Sequence, residues 1–421
     1  MSTIAQAVSC VDGYDPDALR VDKAVEAIRA CLAPVAGSER VPVREALGRV
    51  LAQEIVPSIN VPGHDNSAMD GFAVRFADLK NETELKQIGS ALAGKPFAQA
   101  VNAGECVRVM TGAVMPKGAD TVVVQEVCKA AVDNAGTRIS IPPGQRVGQN
   151  VRAAGEDLKA GVPVLEPGRL LSAADIGLIA SLGQGEVEVR RRLRVAFFST
   201  GDELVSVGSE LKEGQIYDSN RYTLHGMLRR LGVEIIDMGV VRDDPALLEA
   251  AFRKAAAEAD AIITTGGVSV GEADFVKQLM AKLGEVLFWK IAMRPGRPMA
   301  FGKVGKAYLF GLPGNPVAVM VTFYQFVRDA LLFLGGRAPE EIPMLSAISA
   351  QPIRKVPGRT EYQRGVVYRE GETWKVRTTG QQGSGVLRSM SEANCFIVIE
   401  HARGSVQAGE AVQVQLFEGV M

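Results

Sequence analysis

The residues best suited to chemistry crowd into "TTGGVSVGEAD" (264–274). Gly266, Gly267 and Gly271 let the backbone turn its N–H groups inward and approach a ligand closely. Ser269 adds a hydroxyl. A helix after this loop would aim its positive end at it, which suits an anion. A glycine-rich connection with no ligand reads the same way, and the G-K-[ST] ending of a Walker A loop is missing. Asp274 would repel a bare phosphate, so it serves either as a helix N-cap or as part of an acid set holding a cation. Glu203, in Thr200-Gly201-Asp202-Glu203, and Asp243, in Arg242-Asp243-Asp244-Pro245, fall at comparable places after apolar runs. Three carboxylates facing an anion imply a cation between them, and Mg²⁺ suits oxygen ligands and phosphate. "DDP" is also an ordinary helix start.

A second set of residues is cationic or rigid. Arg294 and Arg297 flank a Pro-Gly turn, with Lys290 just upstream. Two guanidinium groups on a stiff turn suit a bidentate oxyanion or phosphate, although paired loop arginines are also common at plain surfaces. Pro313, Gly314, Asn315 and Pro316 form another stiff turn, in which Asn315 can cap and Pro316 can start the helix that follows. A third stretch, "PGHDNSAMDGFAV" (62–74), packs turn formers ahead of an apolar strand start.

Composition bounds these readings. The chain has 421 residues, which calls for roughly two to four domains. Lys+Arg 47 against Asp+Glu 48 leaves a net charge of −1, so no basic excess points to nucleic acid or an anionic membrane. The five cysteines are scattered without a C-x-x-C pair, and the three histidines stand alone. This composition disfavours a disulfide framework, a zinc site and a histidine metal centre, and fits a reducing, cytoplasmic setting. The N-terminus lacks the pattern of a signal peptide. "PVAVMVTFYQFVRDALLFLG" (316–335) carries Arg328 and Asp329 inside its apolar run, as a buried core helix would.

The elements that must position these residues change character along the chain. "VDKAVEAIRACL" (21–32) reads as an amphipathic helix, and "EALGRVLAQEI" (45–55) as helical and then extended. Residues 72–150 are β-rich. "SAADIGLIASLG" (172–183) is a helix capped by Ser172, and "EVEVRRRL" (186–193) a strand ending in three solvated arginines. From 194, strands and helices alternate at βαβ spacing for about 140 residues. That spacing argues a doubly wound parallel α/β sheet, whose ligands sit beyond the carboxyl ends of the strands. Residues 345–421 return to short strands, a separate β domain.

The stretches "PGHDNSAMDGFAVR" (62–75), "MTGAVMPKGAD" (110–120), "GQNVRAAGED" (148–157), "FFSTGDEL" (197–204), "GQIYDSNR" (214–221), "TTGGVSVGEADF" (264–275), "RPGRPMAFG" (294–302) and "GLPGNPVAV" (311–319) resemble, in order, the molybdopterin molybdenumtransferase family. That family comprises the bacterial MoeA-type enzymes and the homologous C-terminal domain of gephyrin. The resemblance implies a segmented helical linking domain (20–58 and 153–190), a β-rich second domain (59–152), an α/β molybdopterin-binding domain (191–337) and a C-terminal β-barrel-like domain (338–421). It implies insertion of molybdate into adenylylated molybdopterin with release of AMP and a need for Mg²⁺. It also implies a homodimer whose site is shared between subunits, served by the preceding adenylyltransferase and by molybdoenzyme chaperones. Carried over by position, Asp70, Thr111, Asp157, Glu203, Asp243 and Asp274 are functional. Lys290, Arg294 and Arg297 match the cationic stretch, Pro313 and Pro316 the proline turn, and Arg359 and Ser384 are matches in the last domain. The chain departs from relatives at 294 and 297, commonly lysine, and at His64, often aromatic. A gephyrin-type scaffold and the adenylyl-transfer step are the competing readings.

Overall fold

The computed structural model describes residues 4, 15, 17–134, 136–266, 279, 281–338 and 342–417. The chain folds as two compact units. The smaller comprises Arg40–Leu47 and Gln53–Glu188, and the larger Met1–Glu39, Gly48–Ala52 and Val189–Met421. In the larger unit, α1 (Val21–Cys31) buries Ala24, Ala27 and Ile28, the stripe its helical spacing dictates.

The smaller unit is built on six strands: β1 (Gly71–Val74), β2 (Thr83–Ala91), β3 (Glu105–Val109), β4 (Thr121–Val124), β5 (Lys129–Asp133) and β6 (Gly136–Ile141). They pair in the order β4-β1-β3-β2-β6-β5. β1 is central, and all four of its residues are buried. Its two faces feed two apolar clusters, one around Phe72 and Val74 and the other around Ala73. The helix expected after Ser172 forms as α2 (Ala173–Ser181). Its capping box is complete: Ser172 Oγ accepts from Asp175 N–H, and the Asp175 carboxylate accepts from Ser172 N–H. The helical reading at 45–55 fails. A single 3₁₀ turn at Val43–Glu45 gives way to isolated bridges, Leu51 with Val189 in the larger unit and Ile55 with Leu165 in the smaller. Gly48 interrupts the run, and pairing with distant strands satisfies the backbone that a helix would have used.

The larger unit carries β7 (Arg194–Thr200), α3 (Ser219–Arg230), β8 (Glu234–Val241), α4 (Pro245–Glu258), β9 (Ala261–Thr265), β10 (Gly284–Lys290), β11 (Pro298–Val304) and β12 (Ala307–Leu312). The sheet order is β8-β7-β9-β12-β11-β10. β8, β7, β9 and β12 are mutually parallel, as the βαβ alternation requires. β11 runs antiparallel to both β12 and β10. It occupies the stretch after the arginine turn, where the sequence pattern marks no strand because Pro298 and two flanking glycines hide its apolar core. The long apolar helix α5 runs as Pro316–Thr322, a π-helical turn Phe323–Val327, and Arg328–Leu334. It is packed into the main core with Trp289, Phe301 and Phe310. The helix expected over "DFVKQLMAKLG" (274–284) falls mostly outside the described residues.

Five strands close the C-terminal barrel: β13 (Met344–Ser349), β14 (Thr360–Glu370), β15 (Thr373–Thr378), β16 (Cys395–Ile399) and β17 (Ala411–Leu416). The order β14-β15-β13-β17-β16 returns to β14, so no sheet edge stays open. Met293–Arg294 add to the start of β14 in parallel, which ties the arginine turn to the barrel.

One reading is corrected here. Of the arginines at 190–192, Arg191 is only partly solvated: its guanidinium grips Asp260 with two bonds of 2.8 Å. Burial raises the Asp260 carboxyl, but Arg191 and the Arg194 N–H outweigh it and leave the group below its ordinary 3.8. A lowered folded value stabilises the protein above pH 3.8, and that contribution is lost as pH falls through the lowered value. Arg191→Ala is expected to cost about 2 kcal/mol, between a surface and a fully buried pair, and to remove this acid-dependent contribution. Urea unfolding at pH 7 and at pH 3 measures both effects.

Candidate active site

The four parallel strands of the larger unit end on one edge, and a cleft of about 780 Å³ lies there. At the end of β7, Ser199 and Thr200 are buried, and Thr265 of β9 donates its hydroxyl to Ser199 Oγ at 3.0 Å. Gly201 and Glu203 follow β7 into the cleft, and Asp243 enters it after β8. Asp244 instead caps α4, accepting from the N–H groups of Ala246 and Leu247 at 2.9 Å. The neighbouring Asp243 lines the cleft.

Gly266 continues β9 at φ +86°, and a Cβ there would stand 2.5 Å from the Thr200 carbonyl oxygen. Only glycine permits this crossing of two strand ends, where the Gly266 N–H also donates to Leu312 O at 3.2 Å. Gly296, at φ +99°, would likewise press a Cβ to 2.5 Å from Thr322 Oγ1. The arginine turn therefore lies flat on α5, with Arg294 and Arg297 exposed at its ends.

Three hydrogen bonds assemble the remaining wall. Asn220 Nδ2 donates to Gly314 O at 2.7 Å, Asn315 Nδ2 to Ser384 Oγ at 3.1 Å, and Val317 N–H to Ser384 O at 3.0 Å. Asn315 occupies the N-cap position of α5, but its side chain does not cap the helix and reaches the barrel loop instead. The N-termini of α3 and α5 both border the cleft through Ser219, Asn220 and Pro316, and both favour negative charge.

Thirteen of the residues singled out from sequence line this one cleft: Thr200, Gly201, Glu203, Asp243, Gly266, Arg294, Arg297, Pro313, Gly314, Asn315, Pro316, Arg359 and Ser384. Lys290 does not line the cleft, and its ammonium pairs with Asp17 at 2.7 Å. Gly267, Ser269, Gly271 and Asp274 lie outside the described residues. The sequence offers Asp218 and Asn220 only as candidate helix caps and marks Gln382 not at all, yet all three line the cleft. Asp218 and Asn220 are buried, and Asp218 Oδ2 and Asn220 Oδ1 have no hydrogen-bond partner among the described residues. The signal was present in "GQIYDSNR", where an aspartate at a helix start reads first as a cap. Asp218 is indeed that cap, accepting from Arg221 N–H with its other oxygen.

In the smaller unit, one oxygen of Asp70 accepts from both the N–H and the hydroxyl of Thr111 at 2.7 Å. The Thr111 N–H and then its hydroxyl hold the Asp70 carboxyl below its ordinary value. Asp157 is exposed, its N–H bonded to Val61 O. Among the described residues, no group of three or more His, Cys, Asp and Glu side chains gathers as a metal site.

Comparison with known proteins agrees with this architecture. Residues 19–183 match the MoeA N-terminal region (domain I and II), 196–332 a probable molybdopterin binding domain, and 346–417 the MoeA C-terminal region (domain IV). A molybdopterin molybdenumtransferase of Haemophilus influenzae is 45% identical over 386 residues, covering 91% of this chain and 95% of the relative. The chain belongs to the MoeA family. The molybdopterin molybdenumtransferase of Bacillus subtilis is 33% identical, covering 94% and 93% of the two chains. The crystal structure of the molybdopterin biosynthesis protein MoeA from Pyrococcus horikoshii OT3 superposes with TM-score 0.83 at 31% identity, covering 95% of this chain and 100% of that one. As in its MoeA relatives, the activity is that of a transferase of molybdenum cofactor biosynthesis, a molybdopterin molybdenumtransferase.

Two substitutions test the geometry. Gly266→Ala should destabilise the larger unit by about 1–3 kcal/mol, because the new Cβ meets backbone that cannot rotate away. The melting temperature and the loss of activity at saturating substrate report it. Thr111→Val should raise the Asp70 carboxyl back toward 3.8, since the hydroxyl bond is lost and the N–H bond stays. A ¹³C-detected NMR titration reads this shift.

Proposed function

We propose that the cleft takes adenylylated molybdopterin and molybdate, and that molybdenum is inserted into the dithiolene with release of AMP. The observation that carries this reading is the meeting, in one cleft, of Glu203 and Asp243 with Arg294, Arg297 and Arg359, beside two helix N-termini. A phosphate-bridged substrate and an oxyanion both need concentrated positive charge, and the acids match a cation that bridges phosphates.

The donor set fits Mg²⁺. Glu203 and Asp243 are hard oxygen donors, and among the described lining residues there is no thiol or imidazole, only the soft thioether of Met293. Glu203 and Asp243 would hold the ion, with Asp274 as a third ligand, and bound there it would neutralise charge on the pyrophosphate. The protein's own part is positional. Arg294 and Arg297 hold anionic oxygens at one end, Gly266 lets the backbone come close, and Asn315 and Ser384 shape the wall. The working form is a cytoplasmic homodimer in which the partner subunit's Asp70 orients water or the ion. The adenylyltransferase that precedes it and molybdoenzyme chaperones meet it in sequence.

Purified protein incubated with adenylylated molybdopterin, Mg²⁺ and molybdate should release AMP only when molybdate is present. Asp70→Asn and Glu203→Gln should each slow that release by about 10²-fold. Molybdate-independent adenylylation of free molybdopterin would instead identify the preceding transferase, and unchanged release by Asp70→Asn would remove Asp70 from the site.

A further inference from the structure

A second, smaller cavity of about 300 Å³ opens beside the cleft, in the barrel part of the larger unit. Arg294 and Gln382 line both cavities, so they share a wall. The smaller one adds Arg354, Glu361 and Arg364. Its volume is at the low end for ligand sites, which suits a small solute and not a nucleotide.

Arg364, on β14, is 1% exposed, the most buried arginine among the described residues. Its Nε donates to Ser389 Oγ and its Nη2 to Gly383 O, both at 3.1 Å. Both acceptors are neutral. Among the described residues, no carboxylate oxygen comes within ion-pair distance of this guanidinium. The one acid lining the cavity, Glu361, is already engaged: it accepts from Gln363 Nε2 at 2.8 Å and stands 3.9 Å from Arg294 Nη1. Three guanidinium groups therefore face one carboxylate, a net charge of +2 at neutral pH. Burial, and then the like charge of Arg294, push Arg364 down to about 10, so it still carries its proton at pH 7. A buried cation without a counter-charge is costly unless something negative joins it. A third cavity of about 460 Å³ shares Arg294, Arg354 and Glu361 and adds Lys355 and Arg359, which extends the basic lining.

We propose that the cavity between Arg354 and Arg364 is a subsite for a tetrahedral oxyanion carrying two charges. The planar guanidinium forks present paired N–H donors at the spacing of two oxygens on one central atom. Arg294, shared with the cleft, lets an anion held here feel the charge of whatever occupies the cleft. The anion's source is either the molybdate that the family's transferase uses or a free inorganic phosphate. The subsite stands on Arg364 and its surroundings, independently of the reaction proposed for the cleft.

Equilibrium dialysis of the full-length protein tests it, with molybdate alone and, separately, with inorganic phosphate alone, at fixed low chloride. The subsite is expected as a binding class that Arg354→Ala weakens about tenfold and that Arg364→Lys weakens at least as much. Arg354 is exposed, so its replacement leaves the fold intact, and an unchanged melting temperature confirms it. Arg297→Ala, at a residue that lines the cleft and neither smaller cavity, serves as the cleft control and should leave this class in place. Preference for molybdate or for phosphate supports the subsite and names its source. If both anions bind Arg354→Ala and Arg364→Lys with wild-type affinity and stoichiometry, the proposal is overturned. AMP release is measured separately, so failure here leaves the cleft reading to stand or fall by its own assay.

Discussion

Asn315 has two possible partners, the N-terminal turn of α5 and the barrel loop at Ser384, and it takes the loop. With the Asn220 bond to Gly314 O and the Val317 bond to Ser384 O, this choice fastens three pieces of chain that are distant in sequence. The start of α3, the Pro-Gly-Asn-Pro turn and the barrel loop then stand as one wall. Each bond contributes about 1 kcal/mol, which is modest for stability. Their effect on geometry is larger, because the cleft has this shape only while all three hold.

The same economy governs the opposite side of the cleft. Gly266 lets β9 cross the end of β7 against the Thr200 carbonyl, and Gly296 lets the arginine turn lie on Thr322 of α5. Rigid strands and a buried helix thereby carry functional groups that loops alone would hold less firmly. The addition of Met293–Arg294 to β14 makes the barrel part of that support. Charge follows from this layout. Acids come from the strand ends and arginines from the turn and the barrel, so the cleft has two faces of opposite sign.

The buried polar atoms of Asp218 and Asn220 belong to the same pattern. Each side chain makes one structural bond, a helix cap in the first case and the tie to Gly314 in the second. Each keeps one oxygen without a partner among the described residues. Unsatisfied buried acceptors cost about 1–3 kcal/mol apiece, and native proteins accept that cost chiefly where a ligand, ion or water completes the set.

Much of this protein was legible in the chain itself. The alternation of apolar strands and capped helices after residue 194 dictates a doubly wound α/β unit, because parallel strands need crossover helices on both faces. Caps at Ser172, Asp218 and Asp244 are written locally, since a side chain and its own next turn decide them. Gly201, Gly266, Glu203, Asp243 and Arg294 were readable because each follows a strand, and strand ends gather at one edge whatever the details, whereas Arg359 precedes β14 and was marked only by the family resemblance. Three things were decided only by the tertiary structure. Lys290 turned to Asp17, Arg191 found Asp260, and β11 inserted itself antiparallel beside β12. In each case the deciding partner lies far along the chain, so no local pattern could record the choice. The unpaired charge of Arg364 is of the same kind. An arginine in a strand reads as exposed, and only the closing of the barrel shows that it is buried with no acid beside it among the described residues.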